Sequence, residues 1–306
     1  MKRCIFIVSL FIVPLLCGGS VLAMTSTNYI VNWDSLNQGG NDVGTSTSYS
    51  IRDTMGELAS GTSTSANYKL TAGYRAQDSA EALSFVVKSQ NNSTQVHYDA
   101  LNISLTTVNV SSTAAFSVGD YIAVVQDQGF SEKVIVGRVT AIVGTVMTLD
   151  APYGATGVMS TASSNNNDYV YQLSGSTAPF GSLTAGSENV YVTMSSVQTL
   201  SSSGYTVYIQ GNQLLQNVGA QAITTVSDGA VSVGSEEYGA STTGTRAYLP
   251  DTDLGVTTTQ RTIQTSNVAS AKPADRVPII YKLSITGSTA SGAYSQTVFY
   301  TLTVNY

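Results

Sequence analysis

Cysteine and histidine are almost absent from this sequence. Its 306 residues include only two cysteines, Cys4 and Cys17, and one histidine, His97. Both cysteines lie in an N-terminal segment that we expect to be removed, so the mature chain has neither a disulfide nor a cysteine nucleophile. A catalytic triad or a histidine zinc site would have to use His97, and the residues around it do not resemble a nucleophile motif. The sequence therefore predicts no catalytic residue, no cofactor-binding residue and no metal ligand.

Charge is also sparse. Only 10% of the residues are charged, and 19 acidic residues against 13 basic ones give a formal net charge of −6. Binding to nucleic acid needs a basic surface that offsets phosphate, and none is present. The same balance weakens attachment to anionic lipid. The surface must instead consist mainly of uncharged polar residues, which favours an extracellular protein.

The first 23 residues predict secretion. Lys2 and Arg3 precede an apolar run from Cys4 to Cys17, and Ala23 provides a small residue for cleavage. We expect cleavage near Ala23 and a mature protein at the cell surface or outside the cell. Pro14 and the shortness of the run argue against a membrane anchor, so no transmembrane segment is expected in the mature chain. Lipid attachment to Cys17 is an alternative, although Leu16 is larger than the residue usual before a lipidated cysteine.

The remaining sequence predicts an all-β protein with helix only in the signal peptide. Runs rich in β-branched and aromatic residues, such as 121–125, 134–136 and 298–304, alternate with Gly, Ser, Asn and Asp turns. We expect an N-terminal tyrosine-led β-hairpin module at 24–78, a discontinuous β-sandwich at 79–93 plus 178–306, and a small β-barrel at 94–177. The barrel would be inserted after the sandwich's first strand, which predicts that Phe85 contacts residues beyond Phe180.

The N-terminal module contains a short repeat. Tyr29, Tyr49 and Tyr68 each follow a Ser/Thr-containing turn, and Trp33-Asp34 and Gly56-Glu57 lie between them. This pattern resembles the N-terminal region of uncharacterised exported surface proteins from candidate-phylum (Patescibacteria-like) bacteria. The resemblance covers about fifty residues and implies a cell-surface location, without implying an activity.

The C-terminal part resembles two groups of surface β-sandwiches. Its motifs are Phe180-Gly181, Gly204-Tyr205, Tyr238-Gly239 and Gly292-Ala293-Tyr294. Their spacing is similar to WxL-type wall-associated domains and to the spore-coat-U and pilin-like group. The tryptophans of the WxL motif are absent here, so wall binding is not implied. No residue-level site transfers from either group.

Acidic residues offer two weak alternatives. Adjacent side chains in a strand point to opposite faces, so Glu236 and Glu237 cannot form a glycosidase pair with each other. Asp251 and Asp253 alternate before Gly255, and a polar loop runs from Asn165 to Asp168. Both patterns are typical of calcium loops only in part, because a full ligand set is missing. We expect no cofactor, with calcium as the alternative.

The last strand alternates between two faces. Val298, Tyr300, Leu302, Val304 and Tyr306 form one face, which predicts the closing strand of a sandwich. Pairing of its edge with another copy, or a place in an outer-membrane barrel, are the alternatives. Among the tyrosines, we expect Tyr205, Tyr208 and Tyr294 in or beside the sandwich core.

Together these observations predict an exported, non-enzymatic cell-surface structural or adhesion protein. The first alternative is a self-assembling fibre or surface-layer subunit that uses edge-strand pairing. The second is a carbohydrate-binding or carbohydrate-active protein. The expected partners are other surface proteins, cell-wall or surface glycans, or copies of the protein itself.

Overall fold

The computed structural model describes residues 83–102, 106–155 and 167–305, together with the backbone of four short strands before residue 73. The chain divides into two units, Met1–Ala80 and Glu81–Tyr306. The predicted signal peptide lies outside the described residues, as do Tyr29, Tyr49 and Tyr68 of the repeat.

The first unit contains two short antiparallel hairpins. Strand β1 (Gly44–Thr45) pairs with β2 (Ser50–Ile51), and β3 (Gly61–Thr64) pairs with β4 (Lys69–Ala72).

The second unit is all-β, as the sequence predicted, and no helix occurs among its described residues. Its strands are β5 (Leu83–Asn102), β6 (Thr107–Val110), β7 (Tyr121–Gln126), β8 (Lys133–Val143), β9 (Val146–Leu149), β10 (Tyr153–Gly154), β11 (Tyr169–Gly175), β12 (Asn189–Thr199), β13 (Tyr205–Gly211), β14 (Glu237–Thr242), β15 (Arg261–Ser266), β16 (Ser270–Ser284) and β17 (Val298–Val304).

These strands form a large sheet and a small sheet. In the large sheet, β5, β6, β9, β8, β7 and β11 pair in that order, and β11 returns to pair with β5, which closes a six-strand ring. The first part of β5 also pairs with β12, and the sheet continues through β16 to β14. The small sheet has the order β15-β13-β17. It packs over the β12-β16-β14 part of the large sheet around one apolar core.

Several strands are buried on both faces because they lie between two cores. In β7, Ile122 and Val124 point into the ring, whereas Ala123 and Val125 pack against the outer face of β12 and β16. In β12, Val192 and Met194 face the ring, and alternate residues face the small sheet. Burial on both faces explains why β7 and the start of β8 read as continuous apolar runs, while the partly exposed β17 alternates.

Strand β5 belongs to both parts of this unit. Phe85 lies opposite Val197 of β12 and packs against the core beneath the small sheet. Thirteen residues further along the same strand, Tyr98 is fully buried inside the ring. Phe85 therefore makes the contact with residues beyond Phe180 that the insertion hypothesis requires. The domain boundaries themselves stay predictions, because the expected junction near residue 94 falls within one continuous strand.

An ion pair between buried Arg276 and half-buried Asp150 joins the ring to the rest of the large sheet. Both terminal nitrogens of Arg276 on β16 donate to the Asp150 carboxylate, at 2.7 and 2.6 Å, and the guanidinium lies 5.3 and 5.5 Å from the ring centres of Tyr121 and Tyr153. Burial alone would raise the pKa of Asp150, but the bonds from Arg276 and from the Arg138 amide leave that pKa lowered. The pair therefore holds a charged carboxylate at neutral pH.

We expect the conservative substitution Arg276→Lys to destabilise the protein by roughly 3 kcal/mol, because an ammonium cannot replace the paired donors or the planar contact with two tyrosines. Chemical unfolding at pH 7 measures this loss. Arg261→Lys, at an exposed position on β15, is the matched control and should change stability by less than about 0.5 kcal/mol. Equal stability of the two variants would contradict a structural role for the pair.

Candidate functional site

An aromatic cleft of about 900 Å³ opens between the large sheet and strand β17. Its floor includes Ser89 of β5, Thr193 of β12 and Tyr281 of β16, and one wall is formed by Val298 and Tyr300 of β17. Two loops, at 176–183 and 289–297, supply most of the remaining lining. The cleft is thus built where the small sheet fails to cover the whole face of the large sheet.

The cleft lining is uncharged and combines apolar side chains with hydroxyl and amide side chains. None of the described residues that line it carries a charged side chain, and Phe180, Leu183 and Tyr294 add to its apolar area. The hydroxyls of Tyr281 and Tyr300 bond to each other. Burial raises the pKa of both phenols above the usual value, so both stay neutral at physiological pH. Such a lining suits apolar side chains better than it suits a charged ligand.

Strand β17 forms an open edge beside this cleft. The amide of Asn305 donates to Gly204, and the carbonyl of Thr297 accepts from Asn212, so odd-numbered residues direct their backbone groups toward β13. Even-numbered residues must direct theirs away from it. The outward-facing residues are Val298, Tyr300, Leu302 and Val304, and no described segment pairs with them. Their side chains are half-buried on the cleft side of the strand.

Two comparable edges are covered. Beyond β14, Ala240 exchanges two backbone hydrogen bonds with Leu254, and Tyr238 bonds to the segment at 224–226. Beyond β15, the amides of Tyr248 and Thr265 complete bonds between that strand and residues 246–248. Covering an edge in this way normally prevents pairing with other chains. Strand β17 therefore differs from β14 and β15 in presenting an edge that no segment of the described chain covers.

His97 lies exposed on strand β5. Its Nδ1 is 3.1 Å from the backbone oxygen of Asp168, and its ring centre is 4.7 Å from that of Tyr169. The structure does not bring His97 to the cleft, whose described lining does not include it.

In each of the two acidic pairs noted in the sequence, the two acids contact different residues. Glu236 accepts a bond from the Thr289 hydroxyl, and Glu237 accepts one from the Ser232 amide. Asp253 is buried, where it pairs with Lys282 at 2.8 Å and accepts the Val231 amide, whereas Asp251 is exposed. The two aspartates therefore do not share one environment. Of the polar loop, Asn165 and Asn166 lie outside the described residues.

Of the three tyrosines expected in or beside the core, two are there. Tyr205 is fully buried, and Tyr294 packs against the core at the cleft. The prediction for Tyr208 is wrong, since that residue follows Val207 in the alternating strand β13 and lies half-exposed on its other face. Tyr205 also belongs to a buried polar network that the sequence did not reveal. Its hydroxyl accepts from Gln264 and donates to Asp275, which pairs with Arg246.

Sequence reasoning also missed a pair of glutamates that meet at the turn between β7 and β8, where Glu132 belongs to the turn and Glu188 immediately precedes β12. The Gly129 amide donates to Glu132 at 3.2 Å, and the next amide, from Phe130, donates to Glu188 at 3.0 Å. Glu132 is buried, and its second carboxylate oxygen has no hydrogen-bond partner. Burial, reinforced by the charge of Glu188, raises the pKa of Glu132 to about 8, although the Gly129 amide and Lys282 oppose the shift.

This pKa predicts a loss of stability as the pH rises. Because the folded value lies above the ordinary value of 4.5, the protein should lose up to about 1.4 kcal/mol per pH unit between pH 5 and pH 8 through Glu132. Glu132→Gln mimics the protonated acid, so its advantage over the wild type should grow across that interval and then level off. Unfolding curves over this pH range measure the difference. Glu237→Gln is the control, and parallel pH profiles for wild type and Glu132→Gln would contradict the prediction.

Within the described residues, no group of three or more His, Cys, Asp or Glu side chains is arranged to hold a metal. Nor does any helix in this part of the chain have the length and apolar character needed to cross a membrane. No protein-family model, curated protein or solved structure matches the chain. The resemblances noted in the sequence therefore stay predictions.

Proposed function

We propose that this protein is an exported, non-enzymatic structural or adhesion protein of the cell surface that binds an extended peptide segment by adding it as a strand to β17. The observation that carries the proposal is an edge of β17 that no described segment pairs with, beside an uncharged and partly apolar cleft. An added strand would bond to the outward backbone groups of four alternate residues. Its own alternate side chains would then enter the cleft next to Val298 and Tyr300.

The partner's chemistry follows from the same geometry. Side chains directly opposite each other in paired strands lie on the same face, so the partner needs apolar residues at alternate positions. The exposed outer face of β17 carries Phe299, Thr301 and Thr303, and the strand has no charged residue that would block approach. A neutral segment with four alternating apolar residues fits this edge.

A self-assembling subunit is the second candidate. Every copy carries the same uncharged edge, and β17 itself has apolar residues at the alternate positions that the edge requires. An acidic protein meets the least like-charge repulsion where its surface is neutral. Carbohydrate binding is the third candidate, and it would use the other hydroxyl and amide groups of the cleft, because the hydroxyls of Tyr281 and Tyr300 already bond to each other.

Proline substitutions on β17 test strand addition directly. The amide of Leu302 points to the open edge, so Leu302→Pro should keep the fold but remove a donor that an added strand needs. The amide of Thr301 points to β13, so Thr301→Pro should destabilise the small sheet. Leu302→Ala keeps the amide and is the matched control for loss of the side chain, which packs against the core, so any weakening that it causes is the baseline for Leu302→Pro. Light scattering over a concentration series, with electron microscopy, measures assembly of residues 24–306.

We expect the wild type and Leu302→Ala to assemble, or to bind purified cell envelopes as labelled protein, and Leu302→Pro to do neither while remaining folded by circular dichroism. Assembly would favour the subunit, and envelope binding by a monomer would favour the adhesin. A wild type that is monomeric and does not bind envelopes would overturn the proposal. Antibody labelling of intact cells tests location separately, and label confined to the cell interior would contradict export.

A further inference from the structure

Three polar side chains converge inside one end of the six-strand ring. His97 of β5 and Val125 of β7 both lie opposite Tyr169 of β11, so the next positions bring Tyr98 and Gln126 alongside Asp168. The inward face of these strands is set by Ile122, Val124 and Val170, which fill the ring's core. Tyr98, itself a member of that core, and by alternation Gln126 and Asp168 share this inward face, and all three are buried.

Asp168 carries a buried charge that its described neighbours do not balance. Its residue exposure is 0%, and one carboxylate oxygen accepts the Asp127 amide at 2.7 Å. The other oxygen, Oδ2, has no hydrogen-bond partner, and neither does the Tyr98 hydroxyl. No lysine or arginine among the described residues forms an ion pair with Asp168. Buried carboxylates are normally paired with a cation or coordinate a metal.

The electrostatic field at this point is negative. Burial raises the pKa of Tyr98 above the usual value, and the charges of Asp168 and Asp127 raise it further. Asp127 is exposed at the rim of the same ring end, where its backbone takes a positive φ of 53°. A cation entering past Asp127 would meet oxygen atoms from an acid, a phenol and an amide.

We propose that this end of the ring is a binding site for a hard divalent cation of the calcium type. Asp168 Oδ2 is the buried charged ligand, the Tyr98 hydroxyl and the Gln126 side chain contribute neutral oxygens, and Asp127 contributes charge at the rim. An all-oxygen site suits calcium rather than zinc, which favours nitrogen and sulfur. With two carboxylates, the affinity belongs to the weak range of extracellular calcium modules, about 10⁻⁴–10⁻³ M.

The site would tie three strands together at one end of the ring. Asp168 precedes β11, Tyr98 is on β5 and Gln126 ends β7, so a bound cation would replace repulsion among the acids by attraction to a common centre. Binding should therefore raise the thermal stability of the second unit. This inference does not depend on strand addition at β17.

The test uses the mature chain of residues 24–306, stripped with a chelator and titrated with Ca²⁺ up to millimolar concentration. Thermal unfolding and calorimetry report binding, and Tb³⁺ provides an optical probe because a nearby tyrosine sensitises its emission. We expect Ca²⁺ to raise the wild-type Tm and to displace Tb³⁺. Tyr98→Phe should lose more Tb³⁺ emission than affinity, since it removes the nearest sensitiser.

Asp168→Asn gives the sharpest outcome. Without metal it should be at least as stable as the wild type, because it removes an unbalanced buried charge, and with Ca²⁺ the order should reverse. If that variant does not fold, Asp127→Asn at the exposed rim should weaken Ca²⁺ binding roughly tenfold, measured against the metal-free Tm of the same variant. Asp228→Asn, in an exposed loop, is the control. No Tm shift or heat in the wild type, or an equal shift in wild type and Asp168→Asn, would overturn the site and indicate a buried water instead.

Discussion

The rest of the structure depends on strands β12 and β16, which are buried on both faces. One face of this pair supports the small sheet, and the other supports the outer wall of the ring. The face of β16 that is turned toward the ring also carries two charged side chains. Arg276, Ile280 and Lys282 point toward the ring, and both cations meet acidic partners, Asp150 for Arg276 and Asp253 for Lys282. The apolar layer and its flanking ion pairs together determine how the ring and the sheet fit.

The burial of β12 and β16 on both faces explains why the candidate binding surfaces lie at the periphery of the sheets. A strand buried on both faces has no surface to offer a partner, so binding surfaces must lie at sheet edges and loop ends. The small sheet has three strands, and it leaves part of the large sheet uncovered beside β17. The same incomplete cover produces both the cleft and the half-exposed alternation of the last strand. The edge and the cleft therefore occur together, where no described strand lies beside β17.

The buried polar groups of the two cores differ in whether their hydrogen bonds are satisfied. Beneath the small sheet, Gln264, Tyr205 and Asp275 form a bonded chain that ends at Arg246. Inside the ring, Tyr98 and Asp168 each retain an unpartnered oxygen. The first network is satisfied and serves the fold, whereas the second leaves a negative charge without a described counterion. Because of this contrast, the proposed cation site lies at the ring end rather than in the sandwich core.

Much of the fold could be read from local patterns. Runs of β-branched residues at 121–125 and 134–136 identified strands, and the alternation at 298–304 identified the half-exposed last strand, because burial on one or two faces leaves its mark in adjacent residues. The prediction that Tyr205 lies in the core is confirmed, whereas Tyr208 lies on the other face of β13. Spacing along a strand does not by itself say which face points inward. Glu132 and Glu188 were missed because neither has a local motif.

The sequence by itself determined the all-β class and the absence of cysteine from the chain after Cys17. It also determined the shortage of charge, because these are properties of composition and of neighbouring residues. Tertiary structure decided which distant groups meet: Arg276 and Asp150 are 126 positions apart, and Gln128 and Tyr171 are 43 apart. It also decided which strand edge no described segment covers and which buried acid has no counterion among the described residues. Strand order and register bring those groups together, and both depend on the packing of whole sheets rather than on any local run of residues.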